Sequence, residues 1–165
     1  MKSIFACSLF ILSTGVVTNA FAASLANKPV LPLDIVKNSV ASVNTKGKLQ
    51  GHQFAVSVVD DGGNLLYAER PEGVAPGMMD AAIGKAQTAA RYGIATQLIE
   101  QQVTSGRVSY LSLPKAVPIE GGIPIVLQGH IIGALGVAGS ASDIDEAAAQ
   151  AGATALTAAL NAAVR

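Results

Sequence analysis

Residues 53–70 read QFAVSVVDDGGNLLYAER, and the fold turns on this stretch. Phe54, Val56 and Val58 alternate with Ala55, Ser57 and Val59, the two-residue period of a strand with one set on each face. Asp61-Gly62-Gly63-Asn64 then supplies side chains that tolerate positive φ, and LLYAER at 65–70 returns as a second strand. The pattern predicts a hairpin. A second one is predicted over 121–138: a strand at 123–127, a turn at Gln128-Gly129-His130 and a strand at 131–137. Gly133 and Gly136 in its return arm allow another backbone to approach closely.

Working outward, helical spacing surrounds both hairpins. Leu33, Val36, Val40 and Val43 predict a helix over 33–46, with Lys46-Gly47 as its stop. A Pro- and Gly-rich loop at 71–77 precedes a helix over 78–92. At 100° per residue, Met79, Ala82, Ile83, Ala86, Ala89, Ala90 and Gly93 form its apolar arc. Asp80, Gln87 and Arg91 face solvent, and Lys85, Thr88 and Tyr92 share a narrow bordering stripe. Residues 94–102 suit a short helix, and 104–113 a loop or irregular strand. The Ala-rich run 143–164 predicts a long helix capped by Ser142 or Asp143, with Asp145 and Glu146 at the positive end of its dipole. So much small apolar surface asks for cover on more than one side, from the sheet or from a second copy.

The start of the chain has a different character. Lys2, an uncharged apolar run at 4–17 and Ala20-Phe21-Ala22 together make a secretory signal peptide over residues 1–22, with cleavage before Ala23. The run is shorter than the roughly 20 residues that span a bilayer, so no membrane insertion is expected after cleavage. Residues 23–165 then form a single domain in the periplasm or outside the cell. Cys7 is the only cysteine and leaves with the signal. Lys2 is the only charged residue removed, which leaves ten basic against eleven acidic residues. With no basic run to grip phosphates, nucleic acid is not an expected partner.

Four phrases stand in a recognisable order: VSVVDDGGNLLYAER (56–70), GKAQTAARYGIAT (84–96), IEGGIPIVLQGHIIGALGVAG (119–139) and DIDEAAAQAGATAL (143–156). Together they resemble the GlcG/HbpS family, which includes the C-terminal domain of PduO-type proteins. The resemblance runs over about residues 33–163. It implies an α/β (α+β) profilin-like fold, a five-stranded antiparallel sheet with helices on both faces. It also implies homo-oligomers, commonly octamers, with haem as cofactor in several members, and in one branch a membrane sensor kinase as partner. Matching positions are Asp60, Arg70, Lys85, Thr88, Thr96, Gly121, Gly122, Pro124, Gly133 and Gly136. His130 in a hairpin turn and the Met78-Met79 pair depart from many relatives.

The chemistry of the residues narrows what that resemblance would mean here. His52 and His130 are the only histidines, and neither has a carboxylate or cysteine at ligand spacing, so a zinc site within one chain is not expected. Haem needs only one or two axial donors and an apolar slot. Its candidate donors are His52, His130, Met78, Tyr67, Tyr92 and Tyr110. Arg70, Lys85, Thr88, Tyr92 and Glu120, with Gly121 and Gly122, are candidate pocket residues whose cations suit propionates or a small carboxylate. Surface ion pairs such as Arg70–Glu120 or Lys85–Glu120 are the plainer alternative. No nucleophile elbow or phosphate loop is present, so catalytic residues are not assigned and an enzyme is the less expected outcome. Three functions follow: an exported haem carrier, scavenger or redox-iron sensing accessory; an accessory binder or enzyme for a small organic acid or corrinoid; and a structural oligomeric interaction protein.

Overall fold

A computed structural model describes residues 29–163. The proposed signal peptide lies outside the described residues. The elements run α1 (Leu33–Leu49), β1 (Ala55–Asp60), β2 (Leu65–Glu69), α2 (Pro76–Tyr92), α3 (Thr96–Thr104), a 3-10 turn (Val108–Ser112), β3 (Gly122–Leu127), β4 (His130–Ala138) and α4 (Ser142–Ala163). The strands form one antiparallel sheet in the order β2-β1-β4-β3.

Both hairpins form where the alternation places them. Asp60 Oδ1 accepts the Asn64 N–H at 2.8 Å and so closes the first turn. The second is tighter than expected. Only Gln128 (φ 51°) and Gly129 (φ 81°) make the turn, and His130 is already the first residue of β4, opposite Leu127. Two successive positive φ values are what a two-residue hairpin needs for its twist to match the strands.

Phe54, Val56 and Val58 pack with Ile125, Leu135 and Val137 against Val36, Val40 and Val43 of α1 and Ala149, Leu156 and Leu160 of α4. On the opposite face Ala55, Val59, Ala134 and Ala138 meet Ala82, Ala86, Ala89 and Ala90 of α2. One face therefore carries branched side chains under two helices, while the other carries alanines under one. Gly122 and Gly136 take the second arrangement to its limit. A Cβ on Gly136 would lie 2.1 Å from Ala82 O, and one on Gly122 would lie 2.5 Å from Lys85 O. Helix α2 rests directly on the sheet backbone there.

Three expectations need correction. The described residues hold four strands rather than five, because 94–118 folds as α3 and a 3-10 turn instead of adding a strand. Helix α1 does not stop at Lys46-Gly47. It runs on to Leu49 and ends in a Schellman motif, with Gly51 (φ 80°) donating to Lys48 O at 3.1 Å and His52 N–H to Gly47 O at 2.8 Å. The bordering stripe of α2 does not reach the surface at Lys85 and Thr88, which are 2% and 0% exposed.

Candidate functional site

The Schellman motif that ends α1 also places its last residue. His52 is fixed through its backbone by Gly47 O, its ring stacks on Phe54 with centroids 6.0 Å apart, and its Nδ1 lies 3.2 Å from Ser140 Oγ. Nε2 makes no hydrogen bond among the described residues. His52 lies beside residues of both α1 and α4. Between them lies a cleft of about 440 Å³, walled by Val43, Ala147, Ala148, Ala151, Gly152 and Ala155, with Phe54 and Ile144 also lining it. Ser42, Lys46, Gln50, His52 and Asp143 supply its polar groups. Where the helices touch, a Cβ on Gly152 would lie 2.6 Å from Val43, so the small residue lets the floor close while the alanines beyond it leave space. On its other side His52 borders a second depression, shared with Gln53, Val74, Ala75, Met78 and Ser140. The structure thus brings two of the axial candidates, His52 and Met78, to one hollow.

His130 is elsewhere. It opens β4, whereas His52 lies past the strand's other end, where Ala138 pairs with Ala55. Nine residues of strand separate the two ends, roughly 27 Å at the rise of an antiparallel strand. The two histidines of one chain cannot meet on one iron. Tyr67 O–H donates to Glu69 Oε2 at 2.9 Å, which holds the phenol protonated and raises its pKa. Tyr92 O–H donates to Pro114 O at 2.7 Å, and the Tyr110 ring lies under the Arg107 guanidinium at 5.0 Å.

None of the seven candidate pocket residues lines the α1–α4 cleft or the depression beside it. Lys85 Nζ donates to Val137 O at 2.9 Å and to Asp145 Oδ2 at 3.0 Å, a buried ion pair rather than a rim cation. Asp145 Oδ1 accepts Ser140 N–H at 2.9 Å. Thr88 Oγ1 donates to Gly84 O at 2.7 Å and accepts Val117 N–H at 2.8 Å. Gly121 N–H goes to Glu146 Oε2 and Gly122 N–H to Thr96 Oγ1. These residues knot α2, α4 and the segment entering β3. Glu120 pairs with neither Arg70 nor Lys85: its carboxylate accepts from Gln97, and its N–H donates to Glu100. Arg70 reaches Val74 O.

Sequence reasoning missed Lys46 (taken as a helix stop), Ser140 and the cleft-facing alanines of α4. It placed Asp145 and Glu146 at the positive end of the α4 dipole but gave no sign of their burial, at 3% and 4% exposed. The alanine run did carry a signal, since small residues mark where helices come close or leave a slot.

Comparison with known proteins gives a consistent set of likenesses. A family model described as haem degrading protein HbpS-like matches residues 31–154. The protein GlcG of Escherichia coli K12 is 32% identical over 113 residues, which span 68% of this chain and 84% of GlcG. A double mutant of HbpS from Streptomyces reticuli superposes with a TM-score of 0.73 at 26% identity, covering 86% of this chain and 97% of that one. PduOC, solved as a complex with haem, superposes with a TM-score of 0.70 at 23% identity over 77% of this chain and 95% of its own, a likeness of fold.

Proposed function

The chain belongs to the HbpS-like family, and from that premise we propose that it is a haem-binding protein whose tetrapyrrole lies in the cleft between α1 and α4. One observation carries the reading: an imidazole whose Nε2 makes no hydrogen bond among the described residues borders an alanine-walled slot of ligand-binding size. A porphyrin asks for a flat apolar slot, an axial donor and a cation for its carboxylates. Ala147, Ala148, Ala151 and Ala155 supply the slot, His52 the donor and Lys46 the cation. Bound haem supplies an iron centre for ligand or electron exchange. The protein's part is to exclude water from the porphyrin face, orient it and hold its propionates.

Haemin titration tests the reading. A Soret band should develop in the wild type, shift and weaken in His52→Ala, and be unchanged in His130→Ala. A His52→Ala protein with the wild-type spectrum and affinity removes His52 as the ligand.

The proposal extends to place and assembly. Residues 1–22 have the make-up of an export signal, so the loaded protein serves as a periplasmic or secreted carrier or scavenger. Its mature mass should begin at Ala23. The exposed small residues of α4 outside the cleft, among them Ala158 and Ala162, support a homo-oligomer. A profilin-like relationship, an octamer and a membrane sensor partner follow from the family resemblance alone. Light scattering coupled to gel filtration measures the subunit number, and cross-linking in the native envelope identifies a sensor.

A further inference from the structure

The haem reading gives His52 a task, and it leaves open what keeps the ring turned the right way. An imidazole ligates through a nitrogen that carries no proton, so the other nitrogen must hold it. Nδ1 of His52 faces Ser140 Oγ at 3.2 Å, and a serine hydroxyl can accept that N–H. Ser140 is itself not free to move. Its backbone N–H is held by Asp145 Oδ1, and the other oxygen of that carboxylate takes the buried Lys85 ammonium. The preceding Gly139 (φ 154°) passes so close to the backbone of Gln53 that a Cβ would lie 2.4 Å from Gln53 O. The hydroxyl is therefore delivered to the imidazole by a loop clamped from two sides.

We infer that Ser140 is a positioning residue that keeps His52 in the Nδ1–H tautomer with Nε2 presented for ligation. This inference rests on the haem reading of the cleft, and its first readout needs no haem. Nitrogen-15 chemical shifts of neutral His52 in the ligand-free protein should report the Nδ1–H form. Ser140→Ala should move the population to Nε2–H, and Ser140→Thr, which keeps a hydroxyl, should restore it. Haemin affinity should fall about tenfold in Ser140→Ala, the lower end of what outer partners of a ligating histidine contribute, and recover in Ser140→Thr. A wild-type ring in the Nε2–H form overturns the inference. So does a tautomer shift in Ser140→Ala that leaves haemin affinity unchanged. If the wild type takes up no haemin, the haem reading fails and the ligation role of Ser140 with it, whatever the tautomer.

Discussion

Gly122 and Gly136 sit opposite each other on β3 and β4, and the backbone of one turn of α2 lies against both. Contact between a helix and a sheet at that distance leaves no volume for a methyl group. Gly136→Ala would put a carbon 2.1 Å from Ala82 O, against main chain that cannot rotate aside. Unfolding in urea should show a loss of about 3 kcal/mol or more, the upper range of core overpacking. A near-wild-type midpoint would mean that α2 can lift off the sheet.

The Lys85–Asp145 pair is the next test. Asp145→Asn leaves a buried ammonium without its counter-charge and should cost about 3–5 kcal/mol. Lys85→Met combined with Asp145→Asn removes the charge and keeps an acceptor for Ser140 N–H, so it should cost less than Asp145→Asn alone. Equal losses in the single and double variants would show that the pair is not electrostatically coupled.

Filling the cleft separates binding from stability. Ala151 is an exposed cleft residue of α4, so Ala151→Phe should leave the thermal midpoint close to wild type while abolishing the haemin Soret shift. Ala158→Phe, in the groove on the other side of α4, should bind haemin normally. Loss of binding in both would point to a site outside the α1–α4 cleft.

Tyr67 gives a pH signature with a fixed sign. Its hydrogen bond to Glu69, then burial and the carboxylate charge, raise its pKa above the usual tyrosine value. The unfolded chain therefore loses this proton first as pH rises, and the contribution is complete below the ordinary tyrosine pKa and lost as pH climbs through the folded one. Tyrosinate absorbance should show one late-titrating phenol, absent in Tyr67→Phe and shifted to lower pH in Glu69→Gln. A Glu69→Gln protein with an unaltered titration rejects the assignment.

Much of this architecture was legible from local patterns. The alternation of Phe54, Val56 and Val58 against Ala55, Ser57 and Val59 assigned each strand face correctly, because β1 is covered on both sides. The apolar arc of α2 was legible for the same reason. The knot around Lys85 was not, since its partner Asp145 is 60 positions away and charge pairing leaves no periodic trace. The same limit hid the cleft. It exists only where the end of α1 lies beside the first half of α4, and of its polar residues the sequence pointed to His52 but not to Lys46 or Gln50.

Strand β3 forms one border of the sheet, and Pro124 sits within it opposite Ala134. A proline offers no main-chain donor, and such residues occur in sheets at borders where that donor would face outward. This margin therefore cannot recruit a further strand by continuous hydrogen bonding. Copies of the molecule that gather along it must do so by laying side chains and helices together, so this edge cannot be stitched strand to strand into a fibre.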